Sequence, residues 1–101
     1  MSESFNYYAG DTFSIVASAT DSLGAPAVIS TAVFVMWKGS DLIEITPTID
    51  ESEATASIDQ ATSLTMDGVY SYAFRTKDVN NETITKVGQI LIYPVPITEA
   101  I

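Results

Sequence analysis

The chain has 101 residues, 47% of them hydrophobic, and carries 13 acidic against four basic side chains for a net charge of −9. That length supports one hydrophobic core, and that composition excludes a disordered polar chain. Four cations, Lys38, Arg75, Lys77 and Lys86, are too few for a basic patch, which argues against nucleic acid and anionic membrane as partners. The acidity reads first as solubility, with a basic partner surface as the sharper alternative. Neither cysteine nor histidine is present, so packing alone must hold the fold, in keeping with a reducing site of synthesis. Met1-Ser2-Glu3-Ser4 lacks the cationic and apolar regions of a secretory signal. The longest near-apolar run, 28–37, is broken by Ser30 and Thr31 and falls short of the roughly 20 residues of a membrane span.

In chain order, Phe5, Tyr7 and Tyr8 mark a short first strand at 5–8, followed by a turn at Ala9-Gly10-Asp11. From Thr12 to Thr20 the residues alternate, with Phe13, Ile15, Ala17 and Ala19 on one face and mainly Ser and Thr on the other, as in a half-buried strand. Residues 21–26 form a loop by their Asp, Ser, Gly and Pro content. The strand at 30–38 is apolar on both faces, with Val33, Val35 and Trp37 on one and Ala32, Phe34 and Met36 on the other. Gly39-Ser40-Asp41 turns the chain into a short strand at 42–46, which Pro47 ends. An acidic turn at 50–53 leads to a strand at 53–58 with Ala54, Ala56 and Ile58 inward. A helical turn is expected around 60–64. Asp67-Gly68 is a strong turn signal, because glycine tolerates positive φ, and Tyr70, Tyr72 and Phe74 then alternate along a strand at 68–76. A hairpin loop at 78–82 precedes the last strand, 84–93, whose faces are both apolar.

About seven short strands with regular turn signals, and no apolar pattern of helical period, predict an all-β, immunoglobulin-like β-sandwich of antiparallel strands. The expected organisation is one domain over 1–93, with a short N-terminal strand or arm at 1–11, and an extended C-terminal arm at 94–101. Leu64, Gly68 and Tyr70 match the tyrosine corner of such sandwiches, and Trp37 stands where these folds carry a buried tryptophan on the third strand. Gly68, Tyr70, Tyr72 and Trp37 are therefore the fold-defining residues. The first, second and fifth strands are expected in one sheet and the third, sixth and seventh in the other. The predicted core is Phe13, Ile15, Ala17, Val33, Val35, Trp37, Ala54, Ala56, Ile58, Tyr70, Tyr72 and Phe74. Phe34, Met36, Val69, Ser71 and Ala73 then face outward, and an apolar sheet face of that kind marks an interaction site. The alternative is that the N-terminal aromatics or the C-terminal segment fold back over it. Val95 and Ile97, with Ala100, alternate along a segment that could add to a neighbour's sheet edge or fray.

Chemistry is not indicated. Without His or Cys, the common nucleophile–base pairs and N/S zinc sites are missing, and no phosphate-binding glycine loop occurs. No cofactor is expected. Asp50, Glu51, Glu53 and Asp59 are hard ligands suited to calcium, but without EF-hand spacing they read as a solvated acidic edge. Asn81-Glu82-Thr83 matches a glycosylation sequon, idle without a secretory signal. Tyr7, Tyr8 and Trp37 suggest a carbohydrate platform less strongly than packing and surface anchoring.

Five segments carry a family resemblance: Ala9-Gly10-Asp11-Thr12-Phe13; Asp21-Ser22-Leu23-Gly24-Ala25-Pro26; Val33 to Lys38; Asp67-Gly68-Val69-Tyr70-Ser71-Tyr72; and Thr85-Lys86-Val87-Gly88-Gln89-Ile90. Together, over about residues 9–93, they resemble a small Ig-like domain of tailed bacteriophages, best known as the N-terminal domain of baseplate upper proteins. That domain usually heads a longer chain with a fibre or receptor-binding part, whereas this sequence stops at Ile101, and the first strand here is extended by Phe5, Tyr7 and Tyr8. The resemblance implies a non-enzymatic virion structural protein, made in the host cytoplasm and assembled with itself or other phage structural proteins at a baseplate, tail, neck or fibre attachment. A capsid decoration protein is an alternative. So is a monomeric module that recognises a cell-surface glycan or protein through loops 21–26, 39–41 and 78–82.

Overall fold

Two sheets pack face to face in the computed structural model, which describes residues 3–97. The strands are β1 (Glu3–Tyr8), β2 (Phe13–Ser18), β3 (Ile29–Lys38), β4 (Asp41–Ile45), β5 (Thr48–Asp50), β6 (Glu53–Ile58), β7 (Gly68–Asp78) and β8 (Thr83–Tyr93), with one short helix, α1 (Gln60–Leu64), between β6 and β7. The larger sheet has the order β1-β8-β7-β3-β4 and the smaller β2-β6-β5. This is the expected immunoglobulin-like sandwich, with one strand more than the alternation suggests: β5, three residues long, completes a hairpin with β6 around Glu51, whose φ is +54°.

The first strand lies in the other sheet from the one expected. β1 does not join β2 and β6. It runs parallel to β8, from Glu3 opposite Gly88 to Tyr8 opposite Tyr93. Its parity sends Phe5 and Tyr7 against the core, where Phe5 meets Tyr72 at 6.0 Å and Tyr7 stacks on Phe13 at 3.9 Å between ring centroids. Gly10, at φ +94°, then turns the chain across to the smaller sheet. Ser63 of α1, fully buried, fastens that turn: its hydroxyl donates to the Asp11 carbonyl and accepts from the Gly10 amide at 3.1 Å.

The second correction is the parity of β3. Phe34 and Met36 are fully buried, whereas Val33 is 58% and Trp37 37% exposed. Val35 is only half-buried. Directly opposed residues of an antiparallel pair share a face. Phe34 lies opposite Phe74 and Met36 opposite Tyr72, so they follow these aromatics inward, while Trp37 lies opposite Ser71 and Val35 opposite Ala73. The Phe34 ring meets Phe74 edge-on at 5.3 Å and Tyr72 at 5.8 Å. A bulge at Ser30 shifts the register between Ile29 and Thr31, which lets Ile29 point inward at odd parity before the even positions take over. The Ser30 hydroxyl donates to the carbonyls of Lys77 and Asp78 there.

The remaining predicted core residues, Phe13, Ile15, Ala17, Ala54, Ala56, Ile58, Tyr70, Tyr72 and Phe74, are buried, joined by Ala19, Ala27, Ile29, Met66, Ile90 and Ile92. The register of β8, ambiguous because both its faces are apolar, turns Ile90 and Ile92 inward and Val87, Leu91 and Tyr93 outward. At the corner before β7, Gly68 has φ +97°, and a Cβ there would lie 2.9 Å from Lys38 Nζ. The Lys38 ammonium crosses the Tyr70 ring at 5.9 Å and donates to the Asp67 carbonyl, while the Asp67 amide donates to the Tyr70 hydroxyl at 3.4 Å. The corner tyrosine thus reaches backbone upstream, as expected.

The parity of β3 is open to a direct stability test. Phe34→Ala empties a packed site and should cost about 3–5 kcal/mol in urea unfolding. Val33→Thr, one residue away on the solvated face, should change stability by no more than about 0.5 kcal/mol. Comparable losses for the two variants would contradict this register.

Candidate interaction face

The side of the larger sheet that faces away from the core is the candidate site. The ladders arrange it in cross-strand rows. Leu42, Trp37, Ser71 and Gln89 form one, and Glu44, Val35, Ala73 and Val87 the next. Val33, Arg75 and Thr85 follow towards one end, and Val69 and Leu91 lie towards the other. Leu42, Val69 and Val87 are 59%, 50% and 48% exposed. β-branched and aromatic residues suit a pleated surface, but here they stand open to water on adjacent strands rather than singly.

Two shallow hollows interrupt this face. One, about 370 Å³, is bordered by Trp37, Ser71, Val87 and Gln89. The other, about 240 Å³, is bordered by Val33, Val35, Ala73 and Arg75. Small side chains at 71 and 73 leave these depressions between the larger ones. Arg75 is held in place by its Nε, which donates to the Thr85 hydroxyl at 2.8 Å. The middle of the face is uncharged: Glu44 stands on the edge strand β4, and Arg75 and Lys77 stand on β7 towards one end.

Of the residues proposed from the sequence, Val69, Ser71 and Ala73 lie on this face. Phe34 and Met36 do not, being buried, and their places are taken by Val33, Val35, Trp37 and Leu42. Val95 and Ile97 lie elsewhere. They border a hollow of about 340 Å³ at the end of the sandwich, with Tyr8, Ala9, Gly10, Asp11 and Leu64. Ala100 is outside the described residues. The N-terminal aromatics do not cover the outer face: Phe5 and Tyr7 turn to the core, and Tyr8 packs beside Tyr93 at 5.6 Å.

The candidate calcium ligands are dispersed. Asp50 and Glu53 oppose each other at the β5–β6 turn, and Asp59 caps α1 by accepting from the Thr62 amide at 2.8 Å. Hydrogen bonds from the Thr62 side chain and amide hold the Asp59 carboxyl below the usual carboxylate range. Its contribution is therefore present above the unfolded-state pKa and lost as pH falls through the lowered folded-state value. Burial pushes the Tyr7 phenol up, so its contribution is present below the ordinary tyrosine pKa and lost on going more alkaline. Among the described residues, no three His, Cys, Asp or Glu side chains come together as a metal site. Asp78 is buried and accepts from the Asn80 and Glu82 amides, each at 2.9 Å, so this carboxylate holds the 78–82 loop.

Trp37 is the sole tryptophan, which gives this face its own reporter. Its native emission should be quenched by acrylamide at low concentration. Emission that is blue-shifted and protected from quenching in the isolated chain would return Trp37 to the core.

No family model matches the chain, and no curated protein matches it. A fibronectin(III)-like module of Clostridium thermocellum CbhA is similar in structure, with a TM-score of 0.58 over 94% of this chain and 92% of that one. At 14% sequence identity, the likeness shows the fold: a fibronectin(III)- or immunoglobulin-like β-sandwich module.

Proposed function

We propose that this chain is a non-enzymatic structural module of a tailed-phage virion, an Ig-like adaptor that binds another virion protein through the outer face of its larger sheet. The observation that carries the reading is the apolar run across that face, Val33, Val35, Trp37, Leu42, Val69 and Val87 on adjacent strands. A partner with a complementary apolar surface would remove these residues from water, at roughly 25 cal/mol per Å² of apolar area. The turn motifs shared with phage Ig-like domains support the virion setting. The lack of His and Cys supports a binding role rather than catalysis. The site of action under this reading is the particle, at a baseplate, tail, neck, fibre or capsid surface.

A second reading rests on Trp37 itself. A half-exposed indole beside Gln89, over a hollow of about 370 Å³, has the make-up of a sugar-stacking platform with a polar edge. Under this reading the module binds a cell-surface glycan.

The test compares the parent with Val33→Glu/Val69→Glu, both changes at exposed positions and so compatible with folding. Mass spectrometry of virions purified from the encoding host should find the parent at a fixed ratio to the major structural proteins. The folded double variant should be depleted at least tenfold. A parent absent from particles, or a double variant incorporated equally, overturns the adaptor reading. Glycan-array binding abolished by Trp37→Ala would favour the second.

A further inference from the structure

Among the described residues, the β2 edge of the smaller sheet has no neighbouring strand. β2 pairs with β6 in an unbroken register from Phe13 opposite Ile58 to Ser18 opposite Glu53. With β1 drawn to β8, no described strand pairs with the other side of β2. The Ala19 amide donates to the Ser52 carbonyl at 2.9 Å, continuing the same register. The alternation of antiparallel ladders then points the amides and carbonyls of Phe13, Ile15 and Ala17 to β6, and those of Ser14, Val16 and Ser18 outward.

Edge strands are usually blunted by charges, prolines, bulges or short length. Among the described strands, the other three edges are blunted and β2 is not. β4 carries Asp41 and Glu44 and is followed by Pro47. β5 has three residues and ends on Asp50. β1 is closed at its far end by Asp11, which accepts from the Tyr8 amide at 2.9 Å and donates its own amide to the Tyr8 carbonyl at 3.0 Å. β2, with the sequence FSIVAS, is the only described strand lacking a charged residue.

We infer that the β2 edge is an interaction surface for a second copy of this chain, two β2 strands pairing antiparallel about a twofold axis through Val16. The occupant follows from charge and from shape. On a chain of net charge −9, β2 itself sets no carboxylate against a second copy, the nearest in sequence being Asp11 and Asp21 beyond its two ends. Centred on Val16, the pairing is self-complementary. Ser14 faces the partner's Ser18, and Val16 faces the partner's Val16, so three opposed pairs exchange hydrogen bonds in both directions. On the core side, Ile15 meets the partner's Ala17, and Phe13 meets the partner's Ala19. Each large side chain thus meets a small one, and the two cores become continuous. The result joins two three-stranded sheets edge to edge and leaves the outer face of the larger sheet open on both copies.

Sedimentation of the full chain across a wide concentration range, with Val16→Lys and Val33→Glu alongside, tests this. Val16 is 44% exposed, and Val16→Lys sets two ammonium groups against each other at the axis. The parent should rise from the mass of one chain to that of two, Val33→Glu should do the same, and Val16→Lys should stay at one. Amide exchange on the parent reads the same contact without a variant, so the test survives a misfolded Val16→Lys. The Ser14, Val16 and Ser18 amides should exchange fast in dilute solution and slow at least tenfold when concentrated. A parent that never exceeds one chain, a dimer kept by folded Val16→Lys, a dimer lost in Val33→Glu, or those three amides fast at every concentration overturns the inference.

Discussion

The pairing of β3 with β7 is the constraint on which the rest depends. Once Tyr72 and Phe74 point inward, strand geometry leaves Met36 and Phe34 no choice but to follow. The ring cluster of Phe5, Phe34, Tyr72 and Phe74 is a product of that register, and so is the appearance of Trp37 on the opposite side. The bulge at Ser30 then allows one strand to serve the core at Ile29 and again at Phe34. A change of phase by one residue would exchange the inner and outer faces of the whole strand.

Much of this is legible in the residues. Half-polar strands declare their inner faces, because Ser, Thr and Glu cannot be buried unpaired: β2 and β6 are as expected. So are the turn at Gly68, the helical turn at 60–64, and the loop at 78–82. β3 misleads because both its faces are apolar, and the buried tryptophan common in such folds points to the wrong one. A better guide lies two residues downstream. Gly39 and Ser40 form a two-residue connection that sets Trp37 opposite Leu42 and Val35 opposite Glu44. Glu44 must face water, so Val35 and Trp37 must too. The placement of β1 has no such signal. Phe5 and Tyr7 can bury against either sheet edge, and the Gly10 turn that carries the chain from β1 to β2, tied down by Ser63, is a tertiary contact the sequence does not display.

Charge is distributed unevenly over the molecule. Carboxylates at Asp41, Glu44, Asp50, Glu51 and Glu53 gather around β4, β5 and their turns. The middle of the larger outer face and all of β2 are without charge. An acidic chain of this kind repels its own copies over one flank and lets them approach on others. Orientation of approach is therefore set by where the carboxylates are, and contact by where they are not. The outer face and the β2 edge differ in what they offer. The first presents side chains with no directional demand, the second a row of backbone donors and acceptors that accepts only an extended strand.

The parallel pairing of β1 with β8 has a mechanical consequence. Glu3 enters beside Gly88, and Tyr93 leaves beside Tyr8, so chain preceding one and following the other departs from opposite ends of the same ladder. Tension applied between those ends slides the two strands lengthwise and strains all their rungs together. A hairpin pulled at its open end would instead unzip rung by rung. Joined in series with other modules, this sandwich would hold at the β1–β8 seam until the whole seam yields at once.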